Sequence, residues 1–239
     1  MLVESMEGQG LSPSTIRKYS RVMGYLCEYF DGKSPDLFEV SDILDYKRHL
    51  VVEKKLAPNS VNRYLSGIRY FYRHVLVREE FKGAFPDMKA PRKMPQILSG
   101  SEVKSMIEVV DNLLWKAVIM LTYSSGMRQG EVRDLKPSDI DSKRMVINVR
   151  NGKGGKSRQA LLSPVTLGML RTYWKTWRTH NPRRSEYLFM PTKERYNGKH
   201  STKLSHTAVG YMVLRAGKLA GIKKKFTHIF FDTRLRLTF

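Results

Sequence analysis

The sequence predicts a mainly α fold of the α+β class, divided into two parts. Three observations predict it. Apolar residues recur at helical spacing after proline-containing helix starts in the first part. From Met145 to Leu162 the pattern changes to two short strand-like runs around a glycine-rich loop. Between the parts, Lys82 to Leu98 carries Gly83, Pro86, Pro91 and Pro95 with Lys89, Arg92 and Lys93, which reads as a basic linker. The expected division is therefore 1–81, a linker at 82–98, and 99–239.

The elements follow in order. Leu11-Ser12-Pro13-Ser14-Thr15 opens a helix, with Ser12 as N-cap and Pro13 at the first helical position. Tyr19, Val22, Met23, Leu26 and Phe30 form its apolar stripe. Leu56-Ala57-Pro58-Asn59-Ser60 opens a similar helix, with Val61, Leu65, Ile68, Phe71, Tyr72 and Val75 inward. Each start offers backbone N–H groups and small hydroxyls to an anion, and ordinary capping explains the same residues. Ser99 to Val110 predicts a helix capped by Ser99 or Ser101, with Glu102 in its first turn. Trp115 to Tyr123 predicts a buried helix that Gly126 ends, and Gln129 to Leu135 restarts one.

Met145 to Val149 and Arg158 to Leu162 predict strands of a hairpin whose loop is Arg150-Asn151-Gly152-Lys153-Gly154-Gly155-Lys156-Ser157. Pro164 to Trp177 predicts a helix, in which the spacing of Tyr173, Trp174 and Trp177 favours packing over base stacking. Ser205 to Gly221 predicts another, with Val209, Met212, Val213, Ala216 and Leu219 inward.

Charge restricts the function classes. The chain has 239 residues with 43 Lys+Arg against 22 Asp+Glu, a net charge of +21. From Ser142 to Ser185 there are eleven basic residues and no acid. Long runs of one sign suggest a polyanionic partner, with nucleic acid the leading class. Hydrophobic residues, at 41%, suffice for a core. The single cysteine, Cys27, excludes an intramolecular disulfide framework and a Cys-rich zinc site. No apolar run approaches the roughly 18 residues of a membrane span. The expectation is a soluble, cytoplasmic, nucleoid-associated protein with no membrane partner.

Three residues carry candidate chemistry. Arg128 follows the helix end at Ser125-Gly126 and can present parallel donors to a phosphate, with Glu131 placed to hold it by an ion pair. Lys153 lies in the hairpin loop as a cation flanked by glycines, a proton donor or phosphate clamp. The loop lacks the G-x-x-x-x-G-K-[ST] pattern of a nucleotide-binding P-loop. His228 follows Lys223-Lys224-Lys225, and a lone His is usually structural or solvated. Charge and helix starts nominate Thr15, Arg17, Lys18, Asn59, Ser60 and Arg63, with Lys156 and Arg158 on the hairpin, as DNA contacts.

Together these segments resemble one family. Tyr123-Ser124-Ser125-Gly126-Met127-Arg128-Gln129-Gly130-Glu131-Val132, with Leu135 and Asp139-Ile140-Asp141, resembles the first signature box of the tyrosine recombinases, the phage-integrase family. Gly152-Lys153-Gly154-Gly155-Lys156-Ser157-Arg158 resembles its β-hairpin lysine motif, and Leu11 to Leu76 is similar to its helical, SAM-like core-binding domain. The resemblance implies a DNA-breaking and rejoining enzyme that needs no metal or ATP. Four protomers would exchange strands of two double-stranded DNA molecules. It implies that Arg128 stabilises the charge developing on the phosphate, that Lys153 protonates the leaving 5′ oxygen, and that His228 opens an H-x-x-R-H box.

The chain departs from that box. Phe231 and Asp232 stand where Arg and His are expected, and no tyrosine follows Tyr211. One permitted coding of Phe231 to Phe239 reads R-H-S-F-A-T-H-F in a shifted frame, which resembles the family's second box. The expectation is therefore a frameshifted, C-terminally truncated recombinase without its nucleophile or C-terminal helices. Such a chain is catalytically inactive, and the alternative is a DNA-binding protein that competes for recombination sites.

Overall fold

A computed structural model describes residues 2–91, 96–150, 157–180, 185–191, 203–224 and 226, apart from the Trp177 side chain. The chain divides into two compact units, Met1–Lys93 and Met94–Phe239. Among the described residues the first unit is all-helical, and the second combines helices with one three-stranded antiparallel sheet.

The first unit holds α1 (Leu2–Gly8), α2 (Pro13–Tyr29), α3 (Val40–Val52) and α4 (Pro58–His74). The α2 start is as expected, with the Thr15 N–H donating to Ser12 Oγ at 3.2 Å. Helices α1 and α3 go beyond the predicted elements. Each lacks a proline-marked start, and α1 buries one residue, Met6. α3 instead begins with a reciprocal pair between Glu39 and Asp42, and buries Ile43, Tyr46 and Leu50.

Helices α2 and α4 run antiparallel. Tyr19 meets Tyr70 at 5.5 Å between ring centroids, and Tyr25 meets Tyr64 at 6.2 Å. Gly67 lets them approach, since a Cβ there would lie 3.2 Å from Val22 Cγ1 and 3.3 Å from Tyr19 Cδ1. The core joins Leu26, Ile43, Leu50, Val61, Leu65, Ile68 and Tyr72. Tyr72 stacks on Phe81 with centroids 3.8 Å apart and donates its hydroxyl to the Pro35 carbonyl at 2.7 Å. Asn62 clamps Met88 through both backbone groups, at 3.0 and 2.8 Å, and Phe85 is buried beside it.

The second unit opens with α5 (Gly100–Glu108), where Ser99 and Glu102 form a capping box. Helix α6 (Leu113–Ser125) is its centre. Leu114, Ala117, Val118 and Leu121 face one apolar cluster, while Ile119 and Tyr123 face another, so α6 is buried nearly all round. A short α7 (Gln129–Arg133) leads to β1 (Ile140–Asp141), β2 (Val146–Val149) and β3 (Arg158–Leu161), paired in that order. Ile147 is opposite both Ile140 and Ala160, and Val149 is opposite Arg158.

Helix α8 (Pro164–Tyr173) runs into a π-helical turn at Trp174–Arg178, so the predicted α-helix to Trp177 is α-helical only as far as Tyr173. Helix α9 (Ala208–Leu219) buries Val209, Met212, Val213 and Ala216 as expected. Leu219 is a correction: predicted inward, it is 51% exposed. Phe226 folds over Gly217, and with Ala220 and Ile222 supplies the apolar contacts at this end of the helix.

Candidate functional site

The best-defined cluster of charge lies where α6 hands the chain to α7. Gly126 closes α6 in the left-handed region, at φ 61° and ψ 25°, and donates its N–H to the Thr122 carbonyl. That conformation suits glycine and turns the chain sharply. Met127 is buried and pins the turn to the core. Arg128 then stands as the N-cap of α7 with its side chain 57% exposed.

Glu131 organises the site. Its side chain is only 6% exposed. Its carboxylate accepts the Arg128 backbone N–H at 2.8 Å and Arg128 Nη1 at 2.9 Å. It also accepts Arg158 Nη2, from β3, at 2.7 Å. Burial alone raises the Glu131 pKa, but the Arg128 hydrogen bonds and the Arg158 and Arg128 charges outweigh it, leaving the carboxyl below its usual 4.5. A guanidinium has five N–H donors in a planar fork. With one flank held by Glu131, the exposed side of Arg128 can meet two oxygens of a phosphate.

A second buried carboxylate works in parallel. Asp139 accepts the Lys136 N–H at 2.9 Å, and Arg150 Nε lies 2.5 Å from its Oδ1. Arg150 is the first residue of the predicted hairpin loop and Arg158 directly follows it, and each is paired with a buried carboxylate of the preceding segment.

The predicted site residues separate as follows. Arg128 and Arg158 are brought together by Glu131. Lys153, Lys156 and His228 lie outside the described residues. In the first unit, Thr15, Arg17 and Lys18 open α2, while Asn59, Ser60 and Arg63 open α4. Because these helices are antiparallel, the two groups stand at opposite ends of the pair. Arg63 Nη2 donates to Ser60 Oγ at 3.1 Å, so this guanidinium lies back along its own helix. The sharing of Glu131 between Arg128 and Arg158 goes beyond the sequence reading. Its signal lay in the hairpin register, which places Arg158 at the first position of β3.

No described helix is long and apolar enough to cross a membrane. The phage integrase family model matches residues 96–236, and the model for a phage integrase N-terminal SAM-like domain matches residues 1–80. A Sinorhizobium fredii relative named as an integrase/recombinase, y4qK, is 36% identical over 94% of this chain and 69% of its own length. A second from the same organism, y4eF, is 43% identical over 57% of this chain, and the match spans 55% of its own length. The tyrosine recombinase XerA of Pyrococcus horikoshii is 30% identical over 91% of this chain and 71% of its own. In fold, a lambda integrase tetramer bound to a Holliday junction superposes with a TM-score of 0.72 at 15% identity, covering 97% of this chain and 66% of that one. Matched in both units, and across nearly its whole length by recombinases of bacteria and archaea, this chain belongs to the phage integrase family of tyrosine recombinases.

Proposed function

We propose that this chain binds double-stranded DNA at recombination sites, as part of site-specific DNA recombination and integration. The observation that carries the reading is the exposed Arg128 guanidinium held by the buried Glu131 carboxylate, which also engages Arg158. Such an arrangement presents a fixed cation to a backbone phosphate without losing side-chain entropy on binding. The resemblance gives Lys153 the role of proton donor to the leaving oxygen and His228 a place beside the phosphate. Thr15, Arg17, Lys18, Asn59, Ser60, Arg63 and Lys156 are the proposed further DNA contacts. The structural relative is a tetramer on a Holliday junction; for this chain the proposal is self-association on DNA, the tetramer being what the resemblance implies for the intact family. The place of action is the cytoplasm, with the nucleoid.

Phe231 stands where the resemblance puts the second arginine. We therefore propose that these 239 residues hold DNA without cleaving it. That favours a second reading, a non-catalytic protein that occupies recombination sites. Gel-shift titration with duplex DNA tests the binding, and absence of a shifted band at low salt would sink it. A nicked duplex tests the chemistry, because a cleaving recombinase is trapped on it covalently. A protein–DNA adduct stable to denaturing detergent would overturn the non-cleaving reading.

A further inference from the structure

A cleft of about 510 Å3 opens in the first unit where the last turns of α2 and α3 meet the first turns of α4. Its wall is a continuous series of rings. Tyr25 stacks against Tyr64 at 6.2 Å and 27°, and Tyr64 lies 6.4 Å from Tyr46. Tyr46 lies 5.2 Å from Tyr29, which lies 4.4 Å from His49. The floor is fixed and the rim is open: Tyr46 is 3% exposed, while Tyr25 and Tyr29 are 43% and 37% exposed. Glu28 and Lys54 line the same cleft.

Two partly exposed tyrosines four residues apart on one helix, each already packed on a neighbouring ring, stand at the edge of the cleft and extend its aromatic wall to solvent. Aromatic faces accept any nucleobase, because every base has a π-face. An arginine stripe leads to them. Arg17 and Arg21 precede Tyr25 at four-residue intervals on the exposed face of α2, the spacing that aligns side chains along a helix. A phosphate backbone following that stripe carries its bases towards the cleft. Lys54 supplies a further cation and Glu28 an acceptor for an exocyclic amino group. A purely apolar guest would cover the charged groups of Glu28 and Lys54 without a hydrogen bond to either.

We propose that this aromatic cleft receives an unpaired nucleobase, so that the chain prefers gapped or melted DNA to fully paired DNA of the same length. The proposal rests on the DNA-binding reading and adds a base-binding subsite to it.

The test uses the whole chain and three fluorescent DNAs: a paired duplex, the same duplex with a short single-stranded gap, and the same gap made of abasic sites. The abasic gap keeps every phosphate and removes only the bases. Anisotropy titration should show the base-containing gap bound about tenfold tighter than the abasic one, the scale of stacking one base. Tyr25→Ala and Tyr29→Ala should each reduce that preference and leave affinity for paired duplex unchanged, with circular dichroism confirming that the helices persist. Equal binding of the two gapped DNAs, with duplex binding intact, overturns this proposal alone. Loss of all DNA binding overturns the DNA-binding reading as well. A change in self-association of Tyr25→Ala without any base preference also overturns the proposal and reassigns the cleft to contact between copies.

Discussion

Glu131 on α7 and Arg158 on β3 are separated by 27 positions, and their side chains meet at 2.7 Å. The same carboxylate holds Arg128 by its backbone and its guanidinium. One buried acid therefore fixes the orientation of two cations from different elements. It also joins the sheet to the end of the central helix.

Glu131→Gln should lower stability by about 1–2 kcal/mol near neutral pH, because hydrogen bonds to an ionised carboxylate lose their charge assistance. The pH dependence has a definite sign. The folded carboxyl titrates below 4.5, so its stabilisation is complete above that value and is lost as pH falls through the folded one. Denaturant midpoints of the wild-type chain and the variant should converge in acid. A constant gap between them at every pH would refute the role given to this carboxylate.

Gly126→Val should destabilise the second unit by about 2 kcal/mol, since a β-branched residue is forced to a positive φ. Thermal melts check it. A midpoint unchanged from wild type would mean that the turn before Arg128 relaxes to another conformation.

Two glycines of the first unit should respond with opposite signs. Gly24, mid-way along α2, has open space where a Cβ would project, so Gly24→Ala should stabilise by about 0.5–1 kcal/mol through helix propensity. Gly67 faces Val22 and Tyr19, so Gly67→Leu should destabilise by about 1–3 kcal/mol or more by forcing α2 and α4 apart. Urea titration of both variants decides it, and a stabilised Gly67→Leu would contradict the close helix approach.

Duplex affinity should fall steeply with salt, with a log–log slope near −0.9 per phosphate neutralised. Arg17→Ala and Arg63→Ala should each reduce the slope by about one if each side chain meets a phosphate. A full slope in Arg63→Ala would mean that its guanidinium stays on Ser60 rather than on DNA.

The helix starts at Ser12-Pro13 and Ala57-Pro58 were legible because a proline marks the first turn of each helix, with a capping hydroxyl at Ser12 alone of the two. Gly126 was legible because only a helix end asks for that conformation so near a buried run. Helix α3 has neither mark. Its start rests on Glu39 and Asp42, acids equally at home on any surface, and its buried Ile43, Tyr46 and Leu50 make a sparse stripe. Strand β1 has two residues, too few to show a period. The Arg128–Glu131 pair was local and readable at three residues' spacing. The partnership with Arg158 was not, because it depends on strand register, a long-range property that pairs Val149 with Arg158 and so delivers that side chain to Glu131.

The antiparallel pairing of α2 and α4 has an electrostatic consequence. Each helix carries a partial positive charge at its start and a negative one at its end. Laid side by side in opposite directions, the two macrodipoles oppose each other and largely cancel beyond the length of the pair. The field that draws a distant polyanion to this unit is therefore set by side-chain charge, while the two helix starts act only at contact. Long-range capture and final seating are thus assigned to different groups. Removing an arginine should slow association, whereas removing the Thr15 hydroxyl should leave the on-rate alone and shorten the lifetime of the complex.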